Sequence, residues 1–403
     1  MNFIKKQTFL IISILIFLGV AIYYTYTAKI FEKEEITPLT KSWEKAIPNQ
    51  KVPAGLVSLK AEDCGNCHKN HYEEWKLSTH AHAWTDLQFQ AELKKESSPF
   101  MCINCHIPLQ NQQEFIIKGL INGDIYKPVK EKNELFDAAL QKEGITCASC
   151  HVRNGEIIGT NGNLNAPHKV KKDPVLLSEK LCISCHNAHA TITPTLACTF
   201  ETGDEWKKGP FYGKKNCISC HMNETERPLM EGFPKRKSHM HFFTGSGIPK
   251  FDTVKTTIQN GLAFYPAKFN QKIHATDSLS FTLKVKNEFA GHRVPSGDPE
   301  RFILINFELS DENGKAISSK KYRIGEEWQW HPTAKKLSDN NMDPGEERNY
   351  VFSQSKLGKG NYNLKVFVTK HRLNEESAKY NKLGKNYPLF VQIYEKNYPV
   401  IVR

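Results

Sequence analysis

The chain has 403 residues, which is too long for one ordinary core and predicts two or three domains. Ten of its 11 cysteines fall in five Cys-x-x-Cys pairs, and this regular spacing argues against the scattered cysteines of a disulfide framework. The formal net charge of +12 could indicate a nucleic acid partner, but the sequence contains no helix-turn-helix or RNA-binding signature. We therefore expect no nucleic acid binding.

The N-terminal segment predicts a membrane anchor. Lys5 and Lys6 precede an apolar run from Phe9 to Tyr24, which the residues that follow extend to near spanning length. By the positive-inside rule the lysines stay in the cytoplasm, so residues 1–28 would form an anchor in the cytoplasmic membrane. The bulk of the chain would then lie in the periplasm or on the extracellular face. The alternative is a cleaved signal peptide with Gly19-Val20-Ala21 as its cleavage site.

Two segments of contrasting composition follow. Residues 29–57 are charged and contain prolines, and they predict a stalk. Residues 58–250 hold every cysteine, show poor strand alternation and contain few apolar runs. They predict a mostly helical or irregular domain whose own side chains would form a weak core. One brief helix is expected around Ala138, before Gly144.

The chemistry of the chain is carried by a motif that occurs five times within residues 58–250. Each copy has two cysteines one helical turn apart and a histidine directly after the second: Cys64-Cys67-His68, Cys102-Cys105-His106, Cys147-Cys150-His151, Cys182-Cys185-His186 and Cys217-Cys220-His221. Two thiols at this spacing can each bond a haem vinyl group, and the histidine then reaches the iron from the same side. The motif therefore predicts five covalently attached haem c groups.

Two other kinds of site also use Cys-x-x-Cys pairs. Structural zinc sites do not require a histidine after every pair, whereas all five pairs have one here. Redox dithiols usually accompany a thioredoxin-like βαβ pattern, which this sequence lacks. Haem attachment is the interpretation that accounts for every motif.

Histidines outside the motifs are the candidates for the sixth iron ligand. His80 is the first choice, followed by His168 and His241 and then by His189. His239 is the alternative to His241. Two imidazoles on one iron give a lower potential than histidine–methionine ligation, so we expect low-potential haems.

Three further side chains have weaker claims to a role. Met101 and Met222 flank motif residues and could ligate an iron, but histidines are better supplied. Cys198 is the cysteine that no motif uses. We expect it to be a buried spectator thiol.

Several segments resemble the cytochrome c-554 family. Cys64–His68, with Tyr72, Trp75 and the Ser78–Ala81 stretch, resembles the opening of that family. Gly144–His151 resembles a later haem site, and Trp206–Met222 resembles its end. The resemblance implies closely packed, mostly bis-histidine haems that relay electrons, with His80 as a distal ligand. The best-known member has four haems, whereas this chain has five motifs, so the detailed haem arrangement does not carry over.

After a linker at residues 251–274, the sequence takes on a β texture. Leu279, Phe281, Leu283 and Val285 alternate with polar residues. Further strand-like runs, separated by turn residues, follow at 302–309, 350–352, 362–369, 389–394 and 399–402. This spacing predicts an Ig-like β-sandwich over residues 275–403. The expected fold class is therefore α+β and multidomain, with a haem-packed domain at 58–250 before the sandwich.

We call the predicted sandwich at residues 275–403 the β-domain. One of its segments has two interpretations. Gly291–Gly297, with nearby Arg301, resembles part of a C-terminal domain of other exported multihaem cytochromes. Its His292 either reaches a haem or lies in an ordinary turn between two strands. The sequence leaves both open.

Electron transfer through the haems is the function that these features favour, and no catalytic residue is assigned. The partners would be redox proteins or the quinol pool, and the oligomeric state is left open. One alternative is an oxidoreductase that acts on a small nitrogen or sulfur compound at a haem with an open position. Another is a membrane quinol dehydrogenase, which the stalk disfavours. A β-domain that binds a partner is compatible with electron transfer.

Overall fold

The computed structural model describes residues 14–23, 34–95, 99–162, 166–193, 196–250, 260–330 and 332–403. The chain divides into a smaller unit, Met1–Leu39 with Ile117–Glu131, and a larger unit, Thr40–Ile116 with Lys132–Arg403. All five cysteine motifs and the C-terminal β region belong to the larger unit.

The N-terminal segment does not bear out the predicted anchor. Residues 14–23 are helical, and the rest of the predicted anchor at 1–28 lies outside the described residues. A helix needs about 20 consecutive apolar residues to cross a bilayer. Within the described part of the chain, no helix is both long and apolar enough to do so. This finding overturns the predicted membrane anchor and the location that was inferred from it.

The smaller unit contains a short antiparallel pairing. Strand β1 (Ile36–Thr37) pairs with the end of β2 (Phe115–Ile121), and β3 (Pro128–Lys132) lies on the other side of β2. Asn122 and Gly123, directly after β2, have φ angles of 52° and 74°. An Asn-Gly pair adopts this left-handed backbone readily, and it allows the chain to reverse after β2.

The motif-bearing part of the larger unit consists of short helices and small sheets. Its helices are α1 (Ala61–Gly65), α2 (Lys69–Lys76), α3 (Leu87–Leu93), α4 (Phe100–His106), α5 (Ala138–Gln141), α6 (Cys147–His151), α7 (Glu179–His186), α8 (Thr202–Lys208) and α9 (Cys217–His221). Its strands are β4 (Val152–Arg153), β5 (Glu156–Gly159), β6 (Val170–Lys172), β7 (His189–Thr193), β8 (Leu196–Thr199), β9 (Glu224–Pro228) and β10 (Lys235–His239). Helix α5 confirms the helix predicted around Ala138, and it begins where the Asp137 carboxylate accepts the backbone N–H of Ala139 at 2.8 Å.

The C-terminal region is built from two sheets. Its strands are β11 (Leu262–Phe269), β12 (Lys272–Ile273), β13 (Leu279–Asn287), β14 (Phe302–Asp311), β15 (Ala316–Gln329), β16 (Lys335–Asp339), β17 (Glu347–Gln354), β18 (Gly360–His371) and β19 (Phe390–Val402), with helix α10 (Glu375–Tyr380) before β19. One sheet has the order β11-β13-β17, and the other has the order β12-β19-β18-β14-β15-β16. Strands together with helices confirm the predicted α+β class.

The two C-terminal sheets share one hydrophobic core. Phe281 of β13 and Phe352 of β17 lie 6.0 and 5.9 Å, between ring centroids, from Phe307 of β14. The alternating residues that the sequence singled out in β13 are fully buried: Leu279, Phe281, Leu283 and Val285. Successive side chains of a strand point to opposite faces, so these four enter the core together.

Some strand boundaries differ from the prediction. The runs at 389–394 and 399–402 belong to one continuous strand, β19. Strand β15 has no predicted counterpart because most of its side chains are exposed or half-exposed, so it lacks an apolar alternation. Strand β11 lies in the segment predicted as a linker and pairs along β13.

We expect Leu364→Ala, in strand β18, to lower the free energy of unfolding of the β-domain by about 2–5 kcal/mol, the usual cost of a Leu→Ala cavity in a packed core. Leu364 is fully buried, whereas Leu337 on the edge strand β16 is 59% exposed. Leu337→Ala, the matched control, should change this free energy by less than about 0.5 kcal/mol. Urea denaturation followed by far-ultraviolet circular dichroism measures both. Equal effects of the two substitutions would contradict the assigned core.

Candidate functional site

Short helices position the cysteine pairs. In four motifs both cysteines lie within one helix, namely α4, α6, α7 or α9, and in the first motif Cys64 lies in α1 and Cys67 in the turn after it. Residues three apart on a helix share a face, so each pair presents both thiols to the same side. Helix α9 begins with a reciprocal cap, in which Asn216 and Ser219 each accept the other's backbone N–H at 3.0 Å.

All five motifs face one cavity of about 1940 Å³. Every motif cysteine and every motif histidine contributes to its wall. A pocket for a single small ligand usually measures about 300–1,000 Å³. The cavity is therefore large enough for several haem macrocycles, and it is continuous between the motifs.

Backbone carbonyls orient the motif histidines. In four motifs the histidine Nδ1 lies at hydrogen-bonding distance from a carbonyl oxygen: His68 from Leu229 (3.2 Å), His106 from Ala83 (2.6 Å), His151 from Ile158 (3.0 Å) and His221 from Thr244. A carbonyl oxygen can only accept, so Nδ1 must carry the proton. This tautomer leaves the lone pair on Nε2, which is the arrangement of a metal-binding histidine.

Four motif histidines are paired with histidines from elsewhere in the chain. The separations of the ring centroids are nearly equal: His68–His168 6.3 Å, His151–His241 6.2 Å, His186–His80 6.3 Å and His221–His292 6.3 Å. A metal–imidazole bond is about 2.0–2.1 Å long and the ring centre lies roughly 1.1 Å beyond the nitrogen, so two imidazoles on opposite sides of one metal have centroids about 6.3 Å apart. The four pairs therefore fit bis-histidine haem iron.

His80 lies in a loop that is closed by the chain before the third motif. The backbone N–H of Ile145 donates to the His80 carbonyl at 3.0 Å. Gly144 has a φ of +61°, and a Cβ there would come within 2.6 Å of the same oxygen. Burial lowers the pKa of His80 to about 3, so the ring is neutral, as a ligand must be. Gly144 thus permits the close approach that places His80 near His186.

His241 is held by a largely buried ion pair. Its backbone N–H donates to Glu74 Oε2 at 2.8 Å, and Arg227 bonds both oxygens of that carboxylate. The His241 Nδ1 donates to the carbonyl of His239 at 2.9 Å, which leaves Nε2 as the nitrogen available to a metal. Burial lowers the pKa of His241 to about 3. Nothing in the sequence indicated the supporting Glu74–Arg227 pair, which joins residues 153 positions apart.

His168 occupies the matching place near the first motif. Its Nδ1 is buried and has no hydrogen-bond partner among the described residues. Gly55, with a φ of +89°, packs against the preceding Pro167, and a Cβ there would come within 2.2 Å of the Pro167 carbonyl oxygen. Nδ1 is not the nitrogen that would bind iron through Nε2, so the spacing of the His168 ring from His68 is what supports it as a ligand.

Other histidines are placed differently, although the His71 ring also lies 6.1 Å from that of His68, edge-on at 88°. The Nε2 of His71 lies 3.0 Å from the Ser238 hydroxyl, and that of His82 lies 3.1 Å from the Lys76 carbonyl. His239 lines the cavity with its Nδ1 bonded to the Met222 carbonyl at 2.7 Å, but within the described part of the chain it is not paired with a motif histidine. The side chain of His189 lies outside the described residues.

The minor candidates also face the cavity. Met101, Met222 and Cys198 all line it. Met101 is 6% exposed in α4, beside the second motif. Cys198 lies on β8 and is half-buried. Their roles stay predictions, and Cys198, which was expected to be buried, is only half-buried.

The second motif differs from the other four. The ring of Phe89 stacks on His106 with a centroid separation of 3.5 Å and an interplanar angle of 7°. Among the described residues, no histidine ring stands about 6 Å from His106. His106 is therefore a candidate for the iron ligand on the cysteine side of the haem, and no described histidine is placed to bind on the other side.

The cavity wall also contains four basic side chains, of which only Arg301 was named from the sequence: Lys250, Arg301, Lys370 and Arg372. We refer to them as the basic cluster. Burial lowers the pKa values of Lys250 and Lys370 to about 8. Lys250 pairs with Asp86, and Arg372 donates to the carbonyls of Ile248 and Pro249 at 2.9 Å each.

Positive charge in such a wall is costly unless anions compensate it. Asp86 provides one such anion, to Lys250 and Arg372, and the carboxylates of haem propionates would provide others. No periodicity marks the basic cluster in the sequence, because its members are scattered along the chain and meet only in the fold.

Comparisons with known proteins identify a similar family and a similar fold. Residues 63–122 match the family described as "Cytochrome c554 and c-prime". The fold is similar to that of a penta-heme cytochrome c552 from Thermochromatium tepidum, with a TM-score of 0.60 and 16% sequence identity. That match covers 86% of this chain and 100% of the other.

Other solved structures match only a part of the chain. The CARDB domain of a Pyrococcus furiosus protein, in complex with di-metal ions, matches with a TM-score of 0.19 and 17% identity over 35% of this chain and 87% of its own. A β-glucosidase from Listeria innocua, in complex with glucose, matches with a TM-score of 0.19 and 12% identity over 35% of this chain and 16% of its own. Scores this low carry no argument. No curated protein matches the sequence.

The family match covers the first two motifs, and the structural match extends over most of the chain. Together they confirm the predicted resemblance of this chain to multihaem c-type cytochromes of the cytochrome c-554 type.

Proposed function

We propose that this protein transfers electrons through five c-type haems, one on each Cys-x-x-Cys-His motif. The family match supports covalently bound haem c and haem-based electron transfer. The number five rests on the count of motifs. The observation that carries the proposal is the set of motif and non-motif histidine rings held 6.2–6.3 Å apart across one cavity.

The ring pairs lead to a specific assignment of ligands. The motif histidines serve as proximal ligands, and His168, His241 and His80 are the distal partners of His68, His151 and His186. Haem, when bound, supplies a redox-active iron at each of these positions. The motif cysteines would tether the macrocycle, and burial keeps His80 and His241 neutral so that their Nε2 atoms can bind metal.

The shared cavity favours a relay over a set of separate sites. All five motifs contribute to one wall, so haems bound there adjoin one another instead of lying in isolated pockets. The basic cluster compensates the propionate charges that would accumulate in that space. A redox protein that docks on the surface is the kind of partner that we propose. We also propose that the C-terminal sheets form an Ig-like sandwich.

His80→Ala should convert one haem from low spin to high spin, because its iron loses the sixth ligand. His82→Ala is the matched control, since His82 lies two residues away and its Nε2 is bonded to the Lys76 carbonyl at 3.1 Å. EPR and absorption spectra of the purified holoproteins measure the change. Unaltered spectra for His80→Ala would remove His80 from the ligand set.

The second motif favours a second candidate function, the reaction of a small nitrogen or sulfur compound at an open haem. His106 has Phe89 stacked on its ring and no histidine partner among the described residues. A haem held by Cys102, Cys105 and His106 would expose one coordination position if the side chain of His189, which lies outside the described residues, does not reach it. Such a position can bind a small molecule, whereas a bis-histidine iron cannot do so without losing a ligand.

Carbon monoxide should therefore bind one haem of the reduced protein. Replacing Cys102 and Cys105 by alanine should remove one haem from the mass and abolish the carbon monoxide difference spectrum. The same double substitution at Cys182 and Cys185 is the control, because it removes one haem and should preserve carbon monoxide binding. A wild-type protein that binds no carbon monoxide would refute the open haem and leave electron transfer standing.

A further inference from the structure

The β-domain brings a histidine to the fifth motif. His292 lies in the segment Gly291–Gly297, which we term the 291–297 loop and which connects β13 with β14. The His292 ring centroid is 6.3 Å from that of His221, and the two rings are nearly parallel, with an interplanar angle of 12°. Both side chains line the cavity. The separation matches the 6.2–6.3 Å of the three ring pairs already assigned to haems.

The orientation of the imidazole is set by its own backbone. The His292 Nδ1 lies 2.7 Å from the carbonyl oxygen of Arg293. Because a carbonyl only accepts, Nδ1 carries the proton and Nε2 has the lone pair. His221 is oriented in the same way by the carbonyl of Thr244. Each ring of the pair thus keeps Nε2 available to a metal.

The 291–297 loop is fixed on both sides. Towards the motif-bearing region, the Glu205 carboxylate in α8 accepts the backbone N–H of Arg293 at 3.2 Å and the Ser296 hydroxyl at 2.8 Å. Towards the β-domain, the Arg293 guanidinium donates to both carboxylate oxygens of Asp339 at 2.7 and 2.8 Å. These bonds hold the loop close to the helix that precedes the fifth motif.

Close backbone packing reinforces this attachment. A Cβ at Gly209, directly after α8, would come within 2.2 Å of the Gly291 carbonyl oxygen. The Thr202 and Ser296 hydroxyls lie 2.6 Å apart. An ordinary turn between two strands requires neither contact, and it does not require an imidazole in the cavity wall.

We infer that His292 is the sixth ligand of the haem on the fifth motif, so that the β-domain supplies part of a redox centre. The inference rests on the proposed haem attachment at Cys217 and Cys220. It gives the β-domain a direct role in setting the spin state and potential of one haem. A β-domain that served only to bind a partner would have no such effect.

The test compares two histidines of the β-domain. His292→Ala should convert one further haem to high spin in EPR, and added imidazole should restore the low-spin signal by occupying the position. His371→Ala is the matched control: His371 also lines the cavity, but its Nε2 is bonded to the Thr369 hydroxyl at 2.8 Å. The His371→Ala substitution should leave the spin state of every haem unchanged.

If the His292→Ala protein does not accumulate in cells, a second substitution provides the test. His292→Met keeps a metal ligand in place, and it should raise the reduction potential of one haem while keeping it low spin. Spectra and potentials unchanged by either substitution would overturn the inference. Haem content by mass is recorded in parallel, and fewer than five haems in the wild-type protein would count against the proposed function itself.

Discussion

In the motif-bearing region, packing is organised around a cavity, and the rest of the structure depends on this constraint. The apolar clusters there are small, such as Leu59, Leu109, Leu140, Ala148 and Val152, or Ala61, Trp75 and Ala81. The β-domain, in contrast, buries a continuous core that spans both of its sheets. Haem is a large apolar plate, so its burial would supply the hydrophobic stabilisation that side chains alone do not provide in this region.

One hydrogen-bonding rule recurs on both sides of that cavity. A backbone carbonyl accepts from Nδ1 of the motif histidines His68, His106, His151 and His221, and the same bond occurs at His241 and His292. The carbonyl fixes the tautomer, and the tautomer presents Nε2. The backbone path of each short helix or loop therefore decides which nitrogen reaches the cavity. The basic cluster adds the positive charge that carboxylates of bound haem would balance.

The β-domain shows which strands a sequence pattern can predict and which it cannot. Alternation placed Leu279, Phe281, Leu283 and Val285 in the core, because in a strand with one buried face the period of two is dictated by the pleat. Strand β15 escaped detection, since its exposed side chains carry no alternation and its position depends on pairing with β14 and β16. The membrane anchor illustrates the opposite error, in which an apolar run suggested a span that the described residues do not contain.

By itself the sequence predicted the covalent attachment of haem, because two cysteines and a histidine within five residues meet through local helix geometry alone. It also ranked His80, His168 and His241 as candidates. Only the tertiary structure decided their partners, since His168 meets His68, His241 meets His151 and His80 meets His186 through contacts between distant segments. The same reason explains why the sequence left the position of His292 open. A histidine from a distant segment leaves no spacing signal, because its distance from the motif along the chain is unrelated to its distance in space.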